Sequence, residues 1–269
     1  MKIVVLASGS NGNATYIETK DTNMLIDCGI TTSQLQSRMA SKNLDINNIE
    51  KVFITHEHID HIRALKVFAK KCPNFDLFIT KGTYNKLYFD VKESCQNHVI
   101  NFIVADQELY FGTTKVTVIR THHDVAEPVG FIIEEDNKKV VYITDTGFVE
   151  DRYIEKLKNP DMLILESNYD VDLLFSSNRP YELKSRINSD HGHLSNYDSA
   201  VLASKIIGPN TNKILLAHIS EDCNFYYSPD FIIKDHLETY EEIGLDTGKI
   251  EFIIGNREWV TGEWELWLI

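Results

Sequence analysis

Basic residues, cysteine and long apolar runs are all in short supply in this chain. Lys and Arg number 27 against 40 Asp and Glu, a formal net charge of −13 at pH 7. A general polyanion binder shows a basic face, and this balance argues against one. It does not argue against a metal site lined by carboxylates, which the same total would conceal. The four cysteines, Cys28, Cys72, Cys95 and Cys223, are scattered and make no C-x-x-C pair. The opening "MKIVVLASGS" has too short an apolar stretch for an export signal and reads as a first strand. Reduced thiols and a cytoplasmic location are therefore expected. No apolar run approaches the roughly 20 residues of a membrane span, so no membrane partner is expected. A Pro/Gly/Ser linker, a low-complexity block and a clear repeat are equally absent, and residues 1–269 read as a single domain. With 43% hydrophobic residues the chain has material for a sizeable core.

What is present is an alternation of short β-rich runs and helical patterns. "KIVVLA", "ATYIET" and "NMLIDCG" read as strands, with "GSNGN" as a tight connection between the first two. "KVFITH" is another strand, after which "DHIRALKVFAKK" takes helical spacing. "TKVTVIRTHH" follows, then "VGFIIEED" and "KKVVYITDT" as a hairpin. "DMLILES" and "KILLAHIS" are buried strands separated by a helix from about Asn196 to Ile206. The aromatic tail, "KIEFIIGN" and "EWELWLI", reads as sheet edge. Many strands end in an ionisable residue: Asp27, His56, Asp145, Glu166, His218 and, just beyond its strand, His123. Six such residues are expected to meet along one rim, where loops build sites.

The densest cluster is "THEHIDH", residues 55–61. In extended chain, residues two apart point the same way, so His56 and His58 can reach one ion. A helix starting near Asp60 would aim Asp60 and His61 at a neighbouring position. The motif suits two adjacent metals better than one. Imidazole nitrogen with carboxylate oxygen favours zinc, with manganese or iron as lesser alternatives.

"THEHIDH" resembles the T-H-x-H-x-D-H signature of the metallo-β-lactamase-fold hydrolases. "LIDCG", "HDVAEPVGF", "YITDTG" and "LLAHIS" follow that family's further motifs in order. The resemblance implies an α/β fold, a four-layer αββα sandwich with a dinuclear site at one edge. It implies a first metal on His56, His58 and His123, and a second on Asp60, His61 and His218. Asp145 and a hydroxide bridge the two, and Asp27 is a buried support. His123 is preferred to His122 because the family's histidine is followed directly by Asp. His98, His191 and His236 fit no motif.

"LILESNY" and "DHGHLSN" add Glu166 and His193, a pair resembling the Glu and His-Leu-Ser/Thr of the ribonuclease Z-like phosphodiesterases. A phosphodiester expels an alkoxide, which profits from a proton donor. Glu166 is expected to orient His193 and favour its protonated form. "LASGSNGNATYI", "HDVAEPVGF", "RINSDHGHLSN" and "LAHISEDCN" together resemble the YycJ/WalJ (VicX) group, associated with exonuclease action on DNA. No long exosite arm of the kind by which ribonuclease Z-type enzymes grip transfer RNA is expected in this chain. The expected function is metal-dependent phosphodiester hydrolysis, as a DNA exonuclease, with Asp60, Glu166 and His193 in the chemistry. Alternatives are a phosphodiesterase of small cyclic or nucleotide substrates and a metal-binding regulatory protein without turnover. Duplex binding needs cations. Lys184 and Arg186 are the first candidates, with Lys205 next, while Ser10, Asn11, Asn13 and Asn224 would position phosphate oxygens. Nothing in the sequence sets an oligomeric state.

Overall fold

A computed structural model describes residues 1–224, 229–256 and 259–266. The first of two seven-stranded sheets takes, in spatial order, β1 (Lys2–Ala7), β2 (Ala14–Glu18), β3 (Asn23–Ile26), β4 (Lys51–Phe53), β5 (Asp76–Thr80) and β6 (Val99–Ile103). The second takes β7 (Glu108–Phe111), β8 (Thr114–Arg120), β9 (Val129–Glu135), β10 (Lys138–Ile143), β11 (Met162–Glu166), β12 (Lys213–Ala217) and β13 (Glu251–Ile254). The strand β14 (Gly262–Glu265) returns to pair antiparallel beside β1. The two tail strands are thus sheet edges, as expected, and residues 267–269 of that stretch lie outside the described residues.

Side-chain alternation within single strands builds the layers. In β1, Ile3 and Val5 enter the apolar layer between the sheets, while Val4 and Leu6 face helices. In β11, Met162 and Ile164 face the other sheet, while Leu163 and Leu165 meet the helix Asn196–Ile206 through Ala200, Ala203 and Ile206. Strands buried on both faces lose the polar alternation of a surface strand, which is why these runs read as continuously apolar. The inter-sheet layer is locked by Phe53, stacked on Phe78 at 4.6 Å and edge-on to Phe131 at 5.3 Å. Helix, sheet, sheet, helix is the resulting αββα sandwich.

Strand direction decides where the chemistry collects. β3 and β4 run parallel. β8 and β10 are both antiparallel to β9 and so share a direction, and β11 and β12 are parallel to β10. The chain therefore leaves β8, β10, β11 and β12 at one rim, the carboxyl-end position at which α/β sheets place ligands.

Two elements differ from the sequence reading. The helix after the histidine motif is divided into Ile59–Ile62 and Leu65–Lys71. The backbone of Cys28 interrupts it, donating to His61 O at 2.8 Å and accepting from Ala64 N at 2.8 Å. Gly29 makes that approach possible, because a Cβ there would overlap the Asp60 carbonyl. Strands β5, β6 and β7 carry no distinguishing period. β5 is a short apolar run, and β6 and β7 are half-exposed edges.

Candidate metal centre

Three rim residues have left-handed backbone: Asp27 at φ 58°, Asp145 at φ 56° and His218 at φ 52°. For residues with a Cβ this conformation is sparsely populated and costs about 1–3 kcal/mol each. Each follows a strand by one or two residues, and the turn it makes throws a polar side chain across the rim.

Ligand-bearing atoms gather in two adjoining clusters. In the first, His56 Nε2 lies 3.2 Å from His58 Nδ1, and His58 Nδ1 lies 3.3 Å from His123 Nε2. The remaining ring nitrogens are occupied behind: His123 Nδ1 donates to Gly192 O at 2.9 Å, and His56 Nδ1 is 3.1 Å from the Thr55 hydroxyl. Such anchoring sets the tautomer that presents the other nitrogen. In the second cluster, Asp60 Oδ2 lies 3.5 Å from His61 Nε2 and 3.6 Å from His218 Nε2. His61 Nδ1 donates to Asp27 Oδ2 at 2.7 Å, and Asp27 also accepts from the Thr55 amide and hydroxyl. Asp145 stands between, with Oδ2 3.2 Å from His61 Nε2 and Oδ1 4.0 Å from His123 Nε2. It is the one carboxylate here that reaches both groups.

Asp145 Oδ2 and His218 Nε2 are buried without a hydrogen-bond partner. Orphaned atoms of this kind need an explanation, and a divalent cation supplies one. The electrostatics agree. Burial holds His56 and His123 below the ordinary imidazole range, so both are neutral donors. Burial also opposes charge on His61, but Asp27, Asp145 and Asp60 lift it well above that range. For His218 burial is likewise overcome, by Asp145, Asp60 and Glu166, and its pKa is pushed up to about 10. Protons on these two rings stand where a cation's charge would fit. A three-histidine cluster and a His/Asp cluster, with Asp145 between them, carry the donor types of divalent-metal sites and fit two divalent ions.

A pH consequence follows. A cation entering the second cluster must displace protons held on His61 and His218, so binding releases protons and strengthens as pH rises toward 10. Titrating metal-free protein with Zn²⁺ by calorimetry in buffers of different ionisation enthalpy measures the release. Buffer-independent heats would refute it.

Beside the clusters, Glu166 Oε1 accepts from His193 Nδ1 at 2.7 Å. The same carboxylate accepts from His218 Nδ1 at 2.9 Å and from the amides of Thr146 and Leu194. Its pairing is thus wider than the sequence expectation of a His193 partner alone. His193 stays partly open to solvent, and Ser195 caps the next helix through Asp198 N at 3.0 Å, fixing the chain just beyond it.

The expected phosphate-binding residues are not brought together in the same way. Lys184 donates to the carbonyls of Phe175 and Ser177, at 2.7 and 2.6 Å, and closes a helix–loop junction. Arg186 is ion-paired with Asp124, next to His123. Asn13 is buried, with Nδ2 3.2 Å from Gly9 O and 3.0 Å from His61 Nε2, so it braces the centre rather than facing outward. Asn224 is buried too, donating to Asn168 O and Ser220 O and accepting from Asn196. Lys184, Asn13 and Asn224 thus have their polar atoms engaged internally. Ser10 remains exposed in its turn. His122 bonds Glu150 at 2.9 Å and lies outside both clusters, and His236 is buried against Ser167 and Tyr240.

Some supporting residues escaped the sequence reading. The Ser8 hydroxyl accepts from His218 N at 3.0 Å, and Asn168 Nδ2 donates to His218 O at 2.6 Å. Both lie inside quoted motifs, "LASGSN" and "LILESNY", yet neither has a side chain that announces a site. All four cysteines are free and buried.

An αββα sandwich carrying two His/Asp clusters on one rim defines a metallo-β-lactamase-fold hydrolase. The chain belongs to the β-lactamase superfamily: a family model described as "Beta-lactamase superfamily domain" matches residues 22–219. It is 35% identical over 228 residues to "Exodeoxyribonuclease YycJ" of Bacillus anthracis, covering 82% of this chain and 83% of that one. It is also 35% identical to "Exodeoxyribonuclease WalJ" of Streptococcus pneumoniae, covering 83% of each. Among solved structures, Zn²⁺-bound PqqB from Methylobacterium extorquens shares the fold at a TM-score of 0.71 and 14% identity, over 99% of this chain and 100% of that one.

Proposed function

We propose that the chain is a two-metal phosphodiesterase that shortens DNA from an end. The observation that carries this reading is the Glu166–His193 contact of 2.7 Å at the edge of the clusters. A thioester expels a thiolate that departs without a proton, whereas an alkoxide leaving group needs one. The names of the YycJ and WalJ relatives support DNA as substrate. Residues 1–269 act as one domain, and four free buried thiols support a reducing, cytoplasmic setting.

The metal ligands in this reading are His56, His58 and His123 for one ion, and Asp60, His61 and His218 for the other, with Asp145 shared. Zinc is the preferred ion on donor chemistry, with manganese or iron as alternatives. Two such ions supply an activated attacking water and neutralise charge at phosphorus. Glu166 holds His193 by Nδ1, so Nε2 is the atom left to face substrate. As the phosphorus–oxygen bond breaks, that Nε2 proton passes to the departing oxygen. The low-lying Glu166 carboxylate, kept ionised against burial by His193 and His218, stabilises the charged ring before transfer.

End-labelled single- and double-stranded DNA and RNA, offered to the metal-loaded protein, test the reading. Stepwise shortening of DNA is the expected result. The net charge of −13 favours one competitor, a phosphodiesterase of small substrates. Cleavage of a cyclic dinucleotide that persists in high salt, with no attack on DNA, would establish it instead.

The engaged state of Lys184 changes the expected outcome of a binding experiment. Arg186→Ala should flatten the salt dependence of duplex binding by a slope of roughly 0.9, one phosphate contact. Lys184→Ala should leave that slope unchanged and lower the melting temperature, since two carbonyls lose their donor. Equal slopes for the two variants would overturn the distinction.

A further inference from the structure

A cavity of about 310 Å³ opens directly beside His193. Its lining is mixed: Phe148, Val149, Ile154 and Leu202 are apolar, and the larger, polar share includes Asn188, Asp190 and Asp198. It is formed before any ligand arrives. The Gly147 amide donates to His122 O at 2.8 Å, and a Cβ at Gly147 would overlap the backbone of Ser189 and Asp190, so the two loops that frame the cavity are in contact. We infer that this cavity binds the nucleoside bearing the leaving oxygen, with its base against Phe148 and its other phosphate on Lys205. The inference rests on the phosphodiesterase reading and extends it to the substrate's end.

Several independent features converge on that occupant. Phe148 is 37% exposed, and one face of its ring is stacked on His122 at 4.1 Å and 17°. His122 is in turn held by Glu150 at 2.9 Å, so the platform is fixed and the second face is left for a base. His122, next to the ligand His123 but outside both clusters, thereby acquires a positioning role. Lys205 lines the same cavity from the last turn of the helix Asn196–Ile206, and its ammonium makes no ion pair among the described residues. Lys184, by contrast, spends its ammonium on two backbone carbonyls. His193 belongs to both cavity and dyad, which places the oxygen it protonates on the moiety inside the cavity.

Size supplies a physical reason for attack at ends. A cavity of about 310 Å³ is at the small end of ligand pockets and suits a single nucleoside. A base must leave its stack to enter, at a cost of a few kcal/mol inside a duplex. At a terminus only one stacking neighbour is lost, so end cleavage is preferred without a dedicated end-binding domain.

Calorimetric titration of the metal-loaded protein tests this with four probes: deoxyadenosine 5′-monophosphate, deoxyadenosine 3′-monophosphate, deoxyadenosine and inorganic phosphate. One nucleotide should bind at least about 10-fold tighter than phosphate. Phe148→Ala should weaken that nucleotide roughly 5- to 100-fold, the range of a lost base–aromatic stack, with phosphate affinity and metal content retained. Phe148→Tyr, which keeps the ring, should restore it. Lys205→Ala should weaken the nucleotide but not the nucleoside deoxyadenosine. Nucleotides no tighter than phosphate, or unaffected by Phe148→Ala, would overturn the inference. Hydrolysis of bis(p-nitrophenyl) phosphate by the unaltered protein separates the two readings, since that diester has no base. Its cleavage without selective nucleotide binding removes the nucleoside site alone, and nucleotide binding without cleavage of any diester removes the hydrolase reading alone.

Discussion

Asp145→Asn is expected to hold no more than one metal equivalent and to lose at least roughly 10³-fold in diester hydrolysis, the several kcal/mol that metal activation contributes. Asp145 is the side chain that approaches both clusters, 3.2 Å from His61 Nε2 and 4.0 Å from His123 Nε2. Its buried Oδ2 has no hydrogen bond to replace a missing cation. Asn keeps the size and tolerates the left-handed backbone at φ 56°, whereas Ala would add strain unconnected with metal. The substitution thus removes charge and little else. His122→Ala is the control for metal: its ring faces Glu150 and Phe148, and elemental analysis should find both ions retained. Full metal in Asp145→Asn with depletion in His122→Ala would reverse the assignment of the two histidines and the bridge.

His193→Ala is expected to slow hydrolysis of a natural diester by roughly 10²–10⁴-fold, the usual contribution of a positioned general acid. With a nitrophenyl diester the deficit should shrink, because that leaving group departs without a proton. Metal content separates this from a rival arrangement, since His193 also falls within ligand distance of Asp145, Glu166 and His218. A proton donor can be deleted with both ions in place, and a ligand cannot. Equal loss on both leaving groups, or loss of an ion, would remove His193 from the role of acid. Glu166→Gln should not reproduce the His193 pattern, because Glu166 also fixes His218 at 2.9 Å. A drop in metal affinity of roughly 10–100-fold, typical of losing a partner behind a ligand, should accompany its loss of rate.

Much of the centre was legible because its ligands are short-range and chemically loud. His56, His58, Asp60 and His61 occupy six consecutive positions. Asp145, Glu166 and His218 each close a buried apolar run, where an ionisable residue has few structural uses. Buried strands were legible for a related reason: strands such as β11, covered on both faces, must be apolar throughout. What the sequence left open concerns residues whose meaning depends on a distant neighbour. Lys184 looks like a phosphate contact until the carbonyls of Phe175 and Ser177 are placed beside it. Asn13 and Asn224 look like ligand-facing amides until they are found buried. The helix through Arg63 looks continuous until the Cys28 backbone divides it.

The layers were what the family resemblance implied; by itself the sequence determined the alternating strands and helices and the donor types that end them. Composition and period suffice for these, since each depends on local propensity and on which face of an element is apolar. Only the tertiary structure decided which atoms meet. The double duty of Glu166, the shelf that His122 makes for Phe148 and the availability of Lys205 all arise across loops far apart in the chain. Their geometry comes from the twist and packing of two sheets, and no spacing along a sequence encodes the separation of side chains brought together in that way.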